Sequence, residues 1–393
     1  MGKTTVGLFF GGRSTEHEVS VVSALQAYEN IDKDKYHVVP IYVSKAGEFF
    51  TNPKFLHIKN YHDINALLFS SKQITFGRKN GQGGLMVSGL FGKFIPLDIA
   101  FPIFHGSFGE DGCIQGVFET FQIPYVGFNV LGSAIAMDKF VAKQLFQALG
   151  LPTAPFASVI RHYWDADQAQ CIKHIKKSLK YPLFVKPGTA GSSIGVGKAK
   201  NDDELQFAIE VAFTYSESVI IEEAFENVIE VNCSVLGYEH LEASVCEQPI
   251  PSKDVLSFND KYMRGGGKNG SKGAGGMETL SRIIPAPISK ELTKKIQDAT
   301  KMVFSELNGC GVARVDYFVD PKKDQYWINE INTPPGSLAY YLWEKTGISY
   351  PELLDKMIEY GFKRAQNQSK TQYTFESGLL SQMANSKGFN NSK

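Results

Sequence analysis

The sequence predicts an α/β protein with α+β elements, divided into several domains. Three observations carry that reading. The chain has 393 residues, enough for two or three domains at roughly 100–200 residues each. It opens with an apolar run, a glycine turn, a helical stretch and a second apolar run, the order that begins an open α/β sheet. Its C-terminal part sets strand-like runs on either side of one long amphipathic helix.

Residues 6–10 are the first strand, ended by Gly11 and Gly12. Val19, Val22, Ala24, Leu25 and Tyr28 then fall on one helical face, and 38–43 form the next strand. Residues 48–95 mix aromatics, glycines and short alternations and read as hairpins and loops. A strand at 98–104 leads through a glycine-bounded loop, 105–112, into a helix ending near Phe121, and 125–127 closes this unit. The chain is helical again from Gly132, with Phe140, Val141, Leu145 and Leu149 on one side and Gly150 as a stop. After Pro152 and Pro155 a lysine-rich helix reaches Lys180. A strand at 183–187, a glycine loop, a strand resuming at Val196 and a helix carrying Leu205, Ala208, Ile209 and Ala212 complete a second unit.

Strands follow at 218–223 and 230–236. Residues 254–278 form a Gly- and Lys-rich loop long enough to be functional or disordered. Leu292, Ile296, Ala299, Val303 and Leu307 mark the long helix, stopped by Asn308-Gly309. Strands at 311–319 and 325–331 are joined by a polar turn, and a last helix begins near Pro351. The implied division is 1–128, 129–221 and 222–365, with 366–393 a polar, fraying tail.

Lys plus Arg equals Asp plus Glu, 41 each. This argues against bulk electrostatic attraction to nucleic acid or to an anionic membrane. No apolar stretch approaches the roughly 20 residues of a membrane span, and no signal-peptide-like run follows Met1. The five cysteines are odd in number and never in Cys-x-x-Cys spacing, so reduced thiols and a cytoplasmic location are expected. Glycine is 37 of 393, above the average share of about 7%.

Two glycine-lysine pairs are false leads. Gly2-Lys3-Thr4 lacks the upstream glycine and strand of a P-loop, and Gly267-Lys268 is followed by Asn269. The loop from Lys186 to Gly197 is more promising. Its glycines let backbone N–H groups approach oxyanions, its serines add donors, and Lys186 supplies a point charge for a phosphate. A plain flexible hairpin would look similar. The strongest constellation is Arg314-Val-Asp316 with Glu330-Ile-Asn332. Alternation puts Arg314 with Asp316, and Glu330 with Asn332, on one face of each strand. A hairpin about residues 322–323 sets Asp316 opposite the 329–330 region. Hard oxygen donors of this kind suit Mg²⁺ beside nucleotide phosphates, and a guanidinium suits developing negative charge. Ser14-Thr-Glu16-His17-Glu18 opens a helix and also fits simple capping. His105 sits beside Gly106 in a glycine-bounded loop, where a structural or surface role is commoner than a catalytic one. Glu222 and Glu230 are either surface strand carboxylates or nucleotide partners, and spacing does not decide between them.

In order along the chain, Gly11-Gly-Arg-Ser-Thr-Glu-His-Glu-Val-Ser20, His105-Gly-x-x-Gly-Glu-Asp-Gly112 with Gln115-Gly116, Met137-Asp-Lys139, Val185-Lys-Pro187 with Gly191-Ser-Ser193, Lys261-Tyr262, Arg314-x-Asp316 and Glu330-x-Asn332-Thr-x-Pro-Gly336 resemble the D-alanine–D-alanine ligase family of ATP-grasp enzymes. The resemblance covers about residues 3–360. It implies an ATP-grasp fold with an N-terminal open α/β pre-grasp domain, a small central α+β domain and a larger C-terminal α+β domain. It implies ATP and two Mg²⁺ ions, with Mn²⁺ as an alternative, and a cytoplasmic homodimer acting on small molecules, without nucleic acid or membrane. Lys139, Lys186, Gly191, Ser193 and Lys261 would hold ATP, with Glu222 and Glu230 facing ribose and adenine. Asp316, Glu330 and Asn332 would bind the metal. Glu16 would take the ammonium of the first D-alanine, linked to Ser192 and Tyr262. Arg314 and the Gly336 N–H would stabilise the tetrahedral oxyanion, while His105 and Lys261 would line the substrate pocket. The 254–278 loop would be a lid excluding water.

The sequence departs from the family in the Glu222–Glu230 interval, one residue longer than usual, and at the second-substrate end, where the 254–278 loop is longer and richer in Gly and Lys. The family's serine for the second substrate's carboxylate is replaced by Tyr341, a larger donor that reaches further. The leading expectation is therefore D-alanyl-D-alanine synthesis for peptidoglycan precursors. A related ligase with another acceptor, amino acid or hydroxy acid, is the alternative, and a nucleotide-binding regulator is a third.

Overall fold

The computed structural model describes residues 2–89, 92–250 and 281–385. The expected lid at 254–278 lies outside them. Three sheets organise the described chain.

The first sheet contains β1 (Thr4–Gly11), β2 (Tyr36–Val43), β3 (Phe49–Thr51), β4 (Lys72–Lys79), β5 (Gln82–Val87), β6 (Phe94–Pro96) and β7 (Ile99–Pro102), in the order β6-β5-β4-β3-β2-β1-β7. Its centre is parallel, β1 pairing with both β2 and β7. Covered on both faces, β1 reads as one unbroken apolar run rather than an alternation. Residues 48–95 supply the antiparallel extension β3–β6, with a short helix at Ile64–Phe69 that the sequence does not signal. Six residues are too few to show a period; the Asp63 side chain starts that helix by capping Ala66 N–H.

The second sheet joins β8 (Phe156–Ile160), β9 (Leu183–Pro187), β10 (Gly197–Ala199) and β11 (Ser218–Glu223) in the order β10-β9-β11-β8. Because β11 runs to Glu223, a division at 221 falls inside a strand. The helical region expected as one piece from Gly132 is two helices, Val130–Met137 and Lys139–Ala148. Asp138 makes the break: its backbone is extended and its carboxylate accepts the N–H groups of Phe140 and Val141, both at 3.0 Å. Lys139 thereby opens a helix instead of lying inside one.

The third sheet holds β12 (Ile229–Gly237), β13 (Leu241–Pro249), β14 (Arg282–Ile283), β15 (Gly311–Asp320) and β16 (Gln325–Asn332), in the order β14-β13-β12-β15-β16. The amphipathic helix Lys290–Glu306 buries Leu292, Ile296, Val303 and Phe304 against Val231, Val235, Val315, Tyr317 and Val319. That burial commits the odd-numbered side chains of β15 to the core. Arg314, Asp316 and Phe318 are left on the opposite face.

The helix Tyr350–Gln368 starts with Pro351 in its first turn and continues past residue 365, and Leu379–Asn385 is also helical. The tail expected from 366 is therefore only partly irregular. Leu353, Leu354, Met357, Ile358 and Arg364 keep the longer helix docked by burial. No described helix is long and apolar enough to cross a membrane.

Buried Arg364 ties this helix to the end of the first unit. It donates to the carbonyls of Gly127 and Tyr125, the latter at 2.5 Å, and lies 3.9 Å over the Tyr125 ring. Arg364→Met would orphan both carbonyls, at a cost of about 1–3 kcal/mol each. Calorimetry should show Tm lower by several degrees. Lys363→Ala, which removes an exposed pair with Glu359, should move it by about a degree at most. Equal Tm values for the two variants would contradict this account.

Candidate active site

The site is built on the β15–β16 hairpin. Asp316 pairs with Glu330 and Arg314 with Asn332, but Tyr317 pairs with Ile328, so Asn329 is an extra residue in a β-bulge. Directly opposed residues share a face, and the bulge therefore brings Glu330 and Asn332 round to the face of Arg314 and Asp316. Arg314 grips Asp316 with two bonds, Nε to Oδ1 at 2.6 Å and Nη2 to Oδ2 at 2.8 Å. Asn332 Nδ2 donates to Asp316 Oδ2 at 3.2 Å. Burial works against the Arg314 charge, but Asp316 outweighs it and holds the guanidinium well above its ordinary pKa.

Lys139 reaches this face from the first turn of its helix, placing Nζ 3.3 Å from Glu330 Oε2 and 2.8 Å from the Ala190 carbonyl. Lys186, at the end of β9, donates to Glu222 at 2.7 Å and to the bulged Asn329 at 3.0 Å. Glu222 is 2% exposed, and its second oxygen lies 3.2 Å from Lys143 Nζ. Burial raises the pKa of Glu222, yet Lys143 and Lys186 together pull it below the usual value, so it is ionised. Here Glu222 organises two lysines and turns no open face outward. Glu230 lies at the start of β12, opposite Phe318.

Glu16 precedes the helix His17–Asn30 and is 6% exposed. The turn before it depends on Gly11 and Gly12, whose φ values of 92° and 98° suit glycine alone. His17 fastens the turn, with Nδ1 2.7 Å from the Gly12 carbonyl and Nε2 2.9 Å from the Tyr42 hydroxyl. The loop after β9 comes down on Glu16. Ser192 donates to the Glu16 carboxylate, and a Cβ on Gly191 would run into that carboxylate. Ser192 and Ser193 both have positive φ, 53° and 59°.

Glu110 stands beside Glu16 and accepts the Gly106 N–H at 2.5 Å. Its burial, followed by the Glu16 charge, pushes its carboxyl up to about 8. His105 is buried, which pushes its imidazole down to about 4, so the ring is neutral.

One pocket is lined by Glu16, His105, Glu110, Lys139, Gly191, Ser192, Arg314, Glu330, Asn332 and Gly336. Most of the site residues expected from the sequence therefore meet. Tyr341 stands to one side: its hydroxyl donates to buried Glu247 at 2.8 Å, and Arg282 both pairs with Glu247 at 3.0 Å and lies 3.7 Å over the Tyr341 ring. Lys261 and Tyr262 lie outside the described residues. Lys143, Asn329, Glu247, Arg282 and Ser23 carry part of the geometry without any sequence signal that singles them out, Lys143 excepted, and Glu110 is a motif position to which no role was given. Lys143 lies four positions after Lys139 on the same helical face, a spacing that could have found it.

Two facing sheets, one carrying a glycine-serine loop and the other the bulged hairpin, with lysines reaching into the space between, define an ATP-grasp enzyme. Comparison with known proteins narrows the class. The "D-ala D-ala ligase N-terminus" family matches residues 5–128 and the "D-ala D-ala ligase C-terminus" family residues 145–359. A D-alanine--D-alanine ligase of Caldicellulosiruptor bescii is 37% identical over 96% of this chain and 100% of its own. One of Bacillus cytotoxicus is 34% identical over 95% and 100%. Among solved structures, the D-alanine-D-alanine ligase from Coxiella burnetii superposes with TM-score 0.77 at 28% identity, covering 94% of this chain and 97% of that one. The VanG D-Ala:D-Ser ligase from Enterococcus faecalis superposes with 0.76 at 31% identity, covering 92% and 100%. The chain belongs to the D-alanine–D-alanine ligase family and is a ligase of that type.

The two unusual pKa values have opposite consequences for stability. Glu110, raised from 4.5 to about 8, binds a proton in the folded state that it loses when unfolded, so its contribution falls as pH rises through that window. His105, lowered from 6.5 to about 4, contributes stability that is lost as pH falls below 6.5. Above 6.5 only the Glu110 effect of these two remains. Glu110→Gln should flatten the fall in Tm between pH 6.5 and 8 relative to wild type; parallel curves would refute the assignment.

Proposed function

We propose that this pocket joins two D-alanines through an acyl phosphate, using ATP, to make D-alanyl-D-alanine for peptidoglycan precursors. The observation that carries the reading is the single face formed by Arg314, Asp316, Glu330 and Asn332, with Lys139 above it and the Glu16–Ser192 pair opposite. Glu16 holds the ammonium of the first D-alanine and directs its carboxylate toward the γ-phosphate. The Lys139 and Lys186 side chains, with the N–H groups of the 188–197 loop around Gly191 and Ser193, hold the phosphates. Glu222 positions Lys186, and Glu230 lies toward the nucleoside. The amine of the second amino acid attacks the acyl phosphate and phosphate leaves; Arg314 and the Gly336 N–H stabilise the oxyanion. The protein's part is positioning and charge stabilisation.

Asp316, Glu330 and Asn332 fit a divalent metal: two carboxylates lie opposite each other, an amide adjoins them, and cations already balance their charge. Mg²⁺ takes few protein ligands and keeps water and phosphate oxygens, so these three residues would hold two Mg²⁺ ions, or Mn²⁺. The metal would screen phosphate charge. A cytoplasmic homodimer, with the first sheet as pre-grasp unit and the second and third as the two halves of the grasp, completes the proposal; sedimentation tests the dimer. Lys261, Tyr262 and the lid assigned to 254–278 lie outside the described residues.

Incubation with ATP, Mg²⁺ and D-alanine should release phosphate and yield the dipeptide. Arg314→Ala should lower kcat by about 10²–10³, the usual cost of losing an oxyanion donor. Phosphate release only with some other amino acid would sink the D-alanine version.

One observation favours a second reading, a different acceptor. The Tyr341 hydroxyl is committed to Glu247 and its ring to Arg282, so it reaches a substrate carboxylate only by giving up a buried bond. In a screen of D-amino acids and D-lactate, the Tyr341→Ser variant should change the ranking of acceptors and leave the KM for ATP within about twofold. An unchanged ranking would remove Tyr341 from acceptor choice.

A further inference from the structure

Ser23 lies in the helix that follows Glu16 and is 1% exposed. It meets two partners from distant parts of the chain. The Ser337 N–H donates to Ser23 Oγ at 3.1 Å, and Ser23 Oγ lies 3.0 Å from His105 Nε2. The ring of His105 also hydrogen-bonds the main-chain carbonyl of Pro334.

Elementary chemistry fixes the direction of these bonds. An amide N–H can only donate, so Ser23 Oγ accepts from Ser337. A hydroxyl oxygen can accept twice, so the direction of the Ser23–His105 bond is set by the ring, whose single proton serves the Pro334 carbonyl and leaves Nε2 to accept from Ser23. A neutral imidazole that accepts at Nε2 carries its proton on Nδ1, and that N–H serves the Pro334 carbonyl. His105 is neutral because it is buried. With the ring proton on the Pro334 carbonyl, the Ser337 N–H, the Ser23 hydroxyl and both ring nitrogens are all engaged.

The two ends of this relay, Pro334 and Ser337, lie on either side of Gly336. The segment just beyond needs holding: Ser337, Leu338 and Ala339 have φ values of 51°, 54° and 49°, three successive non-glycine residues in the left-handed region. Left-handed runs of this kind persist only where the surroundings over-determine them.

We infer that Ser23 and His105 act as a pair of positioning residues that clamp the chain on both sides of Gly336 and so aim its N–H at the reacting carbonyl. The inference rests on the proposed role of that N–H. It also gives His105 a different role. With both ring nitrogens engaged within the protein, His105 shapes the pocket wall through the backbone it holds.

Ser23→Ala removes both hydrogen bonds of the serine. With the acceptor that serves wild type best, kcat should fall about tenfold to a hundredfold, the scale of a misplaced catalytic group, while the KM for ATP stays within twofold. Ser23→Thr, which keeps the hydroxyl, should recover most of kcat. Independently, ¹⁵N spectra of wild-type His105 should show a protonated Nδ1 and a bare Nε2 from pH 6 to 8, and in Ser23→Ala the ring pKa should rise. Wild-type kcat in Ser23→Ala, or a ring protonated at Nε2 at pH 7, would overturn the inference. Should Ser23→Ala fail to fold, the wild-type tautomer and Ser23→Thr decide it. If wild type forms no product with any acceptor, the ligase reading fails on its own and the tautomer remains the test of the clamp.

Discussion

The geometry of the site depends on one extra residue in a hairpin. Without the bulge at Asn329, the register holding Tyr317 opposite Ile328 would continue and set Asp316 against Asn329. Glu330 and Asn332 would then point into the core that the Lys290–Glu306 helix covers. Burying two polar side chains there without partners would cost several kcal/mol. The bulge resolves the conflict between a hydrophobic half-hairpin near the turn and a polar half at the site. It also re-aims Asn329, whose amide oxygen meets Lys186 from the other sheet.

The rest of the site is held by contacts that cross between sheets. Lys139 joins Glu330, Lys186 joins Glu222 and Asn329, Ser192 joins Glu16, and Ser23 joins Ser337 and His105. Each links a residue of one region to a strand end or turn of another. Local strain is stored at the same places. Three left-handed residues after Gly336 and two in the loop after β9 each carry a cost of about 1–2 kcal/mol. They persist because Ser23, Glu16 and close packing hold their N–H groups and side chains. Substitutions far from the reacting atoms can therefore move the reacting geometry.

Much of this was legible in the sequence, for physical reasons. Period-two alternation shows that Arg314 and Asp316 share a face, and symmetric pairing about residues 322–323 brings Asp316 near 329–330. It does not choose between 329 and 330, because a bulge leaves no compositional mark when the extra residue is an ordinary Asn. β13 and β8 escape a pattern reading because one is a polar-apolar mixture beside a long loop and the other is five residues behind two prolines. The break at Asp138 is hidden because a capping aspartate and a mid-helix aspartate look alike until the backbone turns. Ser23 is invisible for a different reason: a lone serine inside a helix has many bland roles, and only the meeting of three distant segments reveals its two bonds. Glu222 could be read as a nucleotide ligand or as a surface group, and its burial removes the second reading. It is a buried anion between two lysines, an arrangement that needs Lys143, which the motifs do not include.

The charges of the pocket are arranged as exchangeable pairs. Arg314 neutralises Asp316, Lys139 neutralises Glu330, and Lys143 with Lys186 neutralises Glu222. Among these, the residues proposed for phosphate are the partners of residues proposed for metal or for lysine positioning. A lone metal ion would have to displace Lys139 from Glu330, leaving an ammonium half-buried without a counter-charge. A lone nucleotide would take Lys139 and leave the Glu330 carboxylate facing phosphate. Arriving together, phosphate would take the lysine and metal the carboxylate, leaving neither of these charges unpaired in a region where unpaired charge is expensive. Glu222 differs, because it would keep Lys143 if Lys186 turned to phosphate. Fully buried Lys143, one helical turn behind Lys139, would thus keep Glu222 ionised through such an exchange.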